Sequence, residues 1–117
     1  MHRFKDLDMW KVSRQFCSEI YIITSDFPEQ ERFGLTNQLR RAAVSVPSNI
    51  AEGCSRSSNK DFSRFLEIAI GSMYEIETQL LIASDLGYIH QDKSEALRTT
   101  LDRIIKMTSR FRSAALQ

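Results

Sequence analysis

The chain has 117 residues, of which 42% are hydrophobic and 26% charged. Lys and Arg number 16 against 15 Asp and Glu, so the net charge is +1, which excludes both a polycationic tail and an acidic disordered one. Four Gly and two Pro give too little turn material for many short strands, and the length suits a single domain over 1–117.

The stretch Met1-His2-Arg3-Phe4-Lys5-Asp6 has no apolar segment behind its basic residues, which argues against a signal peptide. A first helix is predicted over about 9–26, where Met9, Val12, Phe16, Ile20 and Ile23 recur at spacings of 3, 4, 4 and 3. Pro28 biases Phe27 away from helical backbone, so this helix should stop near Asp26. Glu29 to Gly34 read as a turn with room for one helical loop.

A second helix is predicted over about 36–53, with Thr36 as its N-cap and Leu39, Ala43, Val46 and Ile50 as its apolar stripe. Pro47 lies inside that run. It lacks an N–H and clashes with the carbonyl four residues back, at about 3 kcal/mol if nothing compensates. The stripe stays in phase to Ile50, so a kink at Pro47 is expected and not a break. Gly53 suits the C′ position.

The third helix, over about 59–86, has the clearest period: Phe62, Leu66, Ala69, Met73, Ile76, Leu80 and Ala83. Ser58 and Asp61 resemble a capping box, and Gly87-Tyr88 suits a Schellman stop. The fourth helix, over about 92–113, has Leu97, Leu101, Ile104, Thr108 and Phe111 on one face, with Asp92 or a neighbour as cap. Short connections favour antiparallel neighbours. The expected fold is therefore all-α, an antiparallel up-down-up-down four-helix bundle.

Catalysis has little to draw on. Cys17 and Cys54 form no disulfide framework and lack metal-ligand spacing. His2 and His90 have no nucleophile motif beside them, and the four glycines are too scattered for a phosphate loop. The Arg and His of helical-bundle ribonucleases, a few residues apart, are also missing, since Asp85 and Leu86 precede His90. No catalytic residue, metal ligand, cofactor or small-molecule substrate is expected. One catalytic alternative, paired carboxylates at Glu52 and Glu75, would require a pocket that raises a carboxylate pKa. No run approaches the ~18 apolar residues of a membrane span, so the expected location is cytoplasmic.

Several large apolar residues fall off the core stripes: Trp10, Tyr21, Phe65, Tyr74, Leu81 and Ile82. They fit either wide stripes with scattered exposed aromatics or a second buried face, and the surplus favours a homo-oligomer. Arg41, Ser45, Ser48 and Glu52 form a polar stripe at spacings of 4, 3 and 4, with Asn49 beside it. Gly71, Ser72, Glu75 and Gln79 lie at compatible spacing on the third helix. These residues are either a solvated face or a structural hydrogen-bond network between helices or subunits, with Gly71 and Ser72 permitting close approach.

Charge is unevenly placed. From Arg98 to Arg112 there are five basic residues and one acidic, and from Glu67 to Glu95 six acidic and one basic. Arg103, Lys106 and Arg110 share a helix face that could meet phosphates, with Arg40 as a further contact. Arg56, Lys60 and Arg64 form another basic spot. The competing reading is a solvated face, since no recognised nucleic-acid module accompanies it.

Taken together, the segments resemble a known family. The matching stretches are Phe4-Lys5-Asp6-Leu7 with Trp10, Gly34-Leu35-Thr36-Asn37-Gln38-Leu39-Arg40-Arg41-Ala42, and Ser45-Val46-Pro47-Ser48-Asn49-Ile50-Ala51-Glu52-Gly53. Phe65-Leu66-Glu67-Ile68-Ala69-Ile70-Gly71-Ser72 and Glu75-Ile76-Glu77-Thr78-Gln79-Leu80 continue the match. The chain resembles the bacterial four-helix-bundle proteins encoded in intervening sequences of large-subunit ribosomal RNA genes. Their relatives include the accessory variability-determinant proteins of diversity-generating retroelements. The resemblance implies a homopentamer with a central channel. In the retroelement relatives, a basic surface engages nucleic acid and the reverse transcriptase, so RNA or a reverse transcriptase is the implied partner. The family has no accepted catalytic residues, and none are carried over. The alternative function is a protein-interaction scaffold with no nucleic-acid role, for which the near-neutral charge is the cue.

Overall fold

The computed structural model describes residues 2–117, and Met1 lies outside the described residues. It contains four α-helices: α1 (Asp8–Thr24), α2 (Leu35–Cys54), α3 (Asn59–Asp85) and α4 (Gln91–Ala115). Short 3-10 turns at Phe4–Asp6 and Glu29–Glu31 precede α1 and α2, and the described residues contain no strand.

The apolar stripes read from the sequence form the core. Leu66, Ala69, Met73, Ile76, Leu80 and Ala83 of α3 are fully buried, together with Ile20, Leu39, Ile50 and Ile104 of the other helices. Burying such a Leu or Ile side chain contributes about 1.5–3 kcal/mol. The buried residues form one cluster, and each helix packs on two neighbours in the cyclic order α1, α2, α3, α4. The result is a four-helix bundle 43 Å long and 24 by 20 Å across.

Named contacts give the directions of the helices. Gln38 reaches Gln79, Ser45 reaches Ser72 and Gly53 lies against Phe62 and Phe65, so α2 and α3 run in opposite senses. Leu80 meets Ser94 and Glu67 meets Arg112, so α3 and α4 do as well.

Helix ends follow local chemistry only in part. Ser58 caps α3 by accepting from the Asp61 amide at 3.1 Å. Gly87, at φ 76°, ends α3 in a Schellman motif in which its own amide reaches Ser84 O and the Tyr88 amide reaches Ala83 O. Two ends differ from expectation. The first helix stops at Thr24, two residues before Asp26, and the Thr24 hydroxyl bonds back to Ile20 O at 2.6 Å. Thr36 is not a cap but is buried inside α2, whose Leu35 amide instead donates to Glu31 Oε1 at 3.1 Å. The cap of α4, expected at Asp92 or a neighbour, is His90, its Nδ1 accepting from the Asp92 amide at 3.2 Å.

Gly53 also has a different role. It is the penultimate residue of α2 and faces α3, with Ser55 as the C-cap. A Cβ added there would lie 2.9 Å from Phe65 Cβ, whereas one at Gly71 would meet nothing within 4 Å. The close approach of α2 to α3 is therefore at Gly53, and Gly71 faces solvent.

Candidate nucleic-acid interface

The basic residues of α4 are placed by its core stripe. Leu97, Leu101, Ile104 and Thr108 face inward, which turns Arg103, Lys106 and Arg110 to the opposite side, and all three are exposed. Lys106 is paired with Asp102 at 3.0 Å. That pair is exposed and i,i+4, a geometry worth about 0.3–0.5 kcal/mol, so a phosphate can compete for it. Arg103 and Arg110 have no ion-pair partner among the described residues. Arg110 borders a shallow hollow of about 360 Å³ that also involves Asp6, Asp8, Met107 and Phe111.

Arg40 is differently employed. Its Nε donates to Thr24 Oγ1 at 2.9 Å, its Nη2 donates to Tyr21 O at 3.2 Å, and its guanidinium lies 4.7 Å from the Tyr21 ring centroid. It closes the C-terminal end of α1, where carbonyls lack helical partners and a cation is favourable. The sequence shows only a basic residue in the first turns of α2, and that it faces the last turn of α1 is seen in the structure alone.

The polar stripe of α2 separates into small groups. The Ser45 and Ser72 hydroxyls are 2.9 Å apart, and Asn49 Nδ2 donates to Ser45 O at 2.8 Å and Ser45 Oγ at 2.9 Å. Glu52 pairs with Arg56 at 3.1 Å. Glu75 accepts from Gln79 Nε2 at 3.3 Å, and Gln38 extends that group. Arg41, Ser48, Glu52 and Glu75 are exposed, and Ser45 and Asn49 half-buried. A hollow of about 420 Å³ between α2 and α3 joins Arg41, Ser45, Ser72 and Glu75 under the rim formed by Phe33. The buried member is Gln79, 6% exposed, whose Oε1 has no partner among the described residues.

Glu52 and Glu75 do not form a carboxylate pair. Opposite Ser72 stands Ser45 and opposite Gln79 stands Gln38, so Glu75 is level with about residue 42, ten residues of helix rise (~15 Å) from Glu52.

Sequence reasoning did not find the Glu31–Tyr88 contact. Glu31 Oε2 accepts from the Tyr88 hydroxyl at 3.0 Å while its other oxygen caps α2. That hydrogen bond, with desolvation and the carboxylate charge, holds the Tyr88 phenol above its ordinary pKa. Burial likewise raises the Cys17 and Cys54 thiols. At the opposite end of the bundle His2 packs on Phe62 and Phe111, with ring centroids 5.2 and 4.8 Å away.

Among the described residues, no helix is long and apolar enough to cross a membrane. No curated protein matches the chain. Among solved structures, one is described as a protein with unknown function from the S23 ribosomal protein family of Bacteroides thetaiotaomicron. It aligns over 90% of this chain and 95% of its own with TM-score 0.83 and 23% identity, a likeness of fold. The model of the 23S rRNA-intervening sequence protein family matches residues 5–110, nearly the whole chain and every motif quoted above except the leading Phe4. The chain belongs to the 23S rRNA-intervening sequence protein family.

Proposed function

We propose that this chain is a non-enzymatic homo-oligomeric bundle that binds structured nucleic acid, or an enzyme acting on it such as a reverse transcriptase, through the outer face of α4. The carrying observation is that Arg103 and Arg110 stand exposed and unpaired among the described residues, with the weakly held Lys106 between them. The chain's membership of a family tied to ribosomal RNA intervening sequences supports the reading. Arg40 would have to give up its α1 cap to take part, so the assignment rests on the other three. The resemblance supplies the pentamer, and the exposed Tyr74, Leu81 and Ile82 supply apolar surface for it. The same reading takes the chain as one domain, up-down-up-down, bent at Pro47, and cytoplasmic.

A protein-interaction scaffold is the second reading. The net charge of +1 and an exposed Phe33, at 83%, favour it. Sedimentation velocity on fluorescent structured RNA with the protein, from low to physiological salt, separates the two. RNA co-sedimenting with a particle near five subunits, and released as salt rises, is expected. An oligomer that leaves the RNA free at low salt would favour the scaffold. Alanine at Arg103, Lys106 and Arg110 together should weaken binding and flatten its salt slope, and unchanged binding would sink the assignment.

A further inference from the structure

The helix directions sort the charges by end. One end holds the α1–α2 and α3–α4 connections, joined by Glu31 and Tyr88. The other holds the N-terminal segment, the α2–α3 connection and the C-terminal turns of α4, joined by His2, Phe62 and Phe111. Dividing the bundle at mid-height puts residues 17–44 and 73–103 in the first half, with six basic and ten acidic residues. The second half has ten basic and five acidic. A molecule of net charge +1 thus has one half at −4 and the other at +5.

Screening makes that division matter. The bundle is 43 Å long, and the Debye length at physiological salt is about 8 Å. A polyanion at the basic end therefore meets the local charge, and the acidic end is too far away to cancel it. At the tip, Arg56, Ser57, Ser58, Asn59 and Lys60 are all exposed, and Arg64 follows one turn into α3. Arg56 is steadied by Glu52 at 3.1 Å and by the Phe65 ring, 4.6 Å to its centroid. Lys60 and Arg64 have no ion-pair partner among the described residues. Cations beside hydroxyl and amide donors are the chemistry that holds a phosphate backbone.

We propose that the nucleic acid is engaged end-on by the basic end, centred on Arg56, Lys60 and Arg64, with the acidic end turned away. The proposal rests on the nucleic-acid reading above, and it adds the α2–α3 corner to the flank of α4, whose Lys106 and Arg110 lie in the same half of the bundle.

The test uses a fluorescein-labelled RNA hairpin, anisotropy across a salt series, and three charge-matched variants of the full chain. The corner variant combines Arg56→Gln, Lys60→Gln and Arg64→Gln. The opposite-end variant combines Arg32→Gln, Lys93→Gln and Arg98→Gln. The flank variant combines Arg103→Gln, Lys106→Gln and Arg110→Gln. The corner variant should bind at least about tenfold more weakly, with the log–log salt slope reduced by about 2–3, while the opposite-end variant stays within about threefold of the parent. Equal losses in those two would mean that net charge alone governs, and would overturn the proposal. Loss in the flank variant with an unchanged corner variant would also overturn it, while leaving the nucleic-acid reading intact. Hairpin left free by the parent protein at low salt would end both. A corner variant that sediments as a smaller particle without RNA would assign the corner to another copy of the chain, again overturning it. Circular dichroism checks folding. The single substitutions Lys60→Gln and Arg64→Gln, both at exposed positions, keep the test open if the triple variant is unstable.

Discussion

At the scale of single residues, Gly53 shows how spacing can be legible while meaning is not. It lies three residues after Ile50 and extends the stripe of Leu39, Ala43, Val46 and Ile50 in phase, so its inward position could have been read. What the sequence does not show is that Phe62 and Phe65 of α3 stand opposite, 3.2 and 2.9 Å from where a Cβ would be. Gly53→Ala is expected to destabilise the protein by about 1–3 kcal/mol through overpacking, seen as a lower urea midpoint with an unchanged slope. An unchanged midpoint would show that α2 and α3 can separate freely. Arg40 teaches the same lesson from the polar side. A basic residue on a helix reads as a phosphate contact until its neighbours are known, and here those neighbours are the Tyr21 carbonyl and the Thr24 hydroxyl in the last turn of α1.

At the scale of elements, the four helices were legible because a 3.6-residue period repeated over many turns leaves little choice of face. Their ends were legible only where the cap is local. Ser58 with Asp61, and Gly87 with Tyr88, satisfy backbone groups inside a few residues. The α2 cap comes from Glu31, four residues earlier across a 3-10 turn that the chain must first form. His90 caps α4 through a ring nitrogen, a role for which Asp and Ser are the usual expectation. Pro47 is the element-scale experiment. The α-helix runs through it, yet Pro47 has no N–H to offer the Ala43 carbonyl. Pro47→Ala should raise stability, by up to about 3 kcal/mol, measured as the thermal midpoint. A fall in that midpoint would mean that the neighbouring helices are shaped to a bent α2.

At the scale of the whole molecule, a bundle of four helices followed from the patterns and the short connections, whereas the surface depended on which helices became neighbours. Trp10 and Phe65, set among the surplus apolar residues, are half-buried within the chain, while Tyr21, Tyr74, Leu81 and Ile82 remain exposed. For the proposed oligomer, Tyr74 and Leu81, seven residues apart on one flank of α3, are the sharper candidates for subunit contact. Tyr74→Asp with Leu81→Asp should reduce the sedimentation coefficient to that of a monomer while leaving helical content unchanged. A particle of unaltered size would direct attention to Phe33, Ile22 or Leu86, which are also exposed. The division of charge between the ends escaped the sequence for the same reason. Net charge is a sum over the chain, and only the helix directions reveal that basic and acidic residues collect at opposite ends.

That division makes the protein a giant zwitterion near neutrality, where the isoelectric point that follows from its composition, about 7.8, also lies. Its permanent dipole, on the order of several hundred debye for four or five charges of each sign set half a molecule apart, exceeds anything its net charge suggests. Such a solute is expected to be salted in, as amino acids are. In very dilute buffer the positive end of one molecule attracts the negative end of the next, and modest added salt brings the protein into solution by screening that attraction.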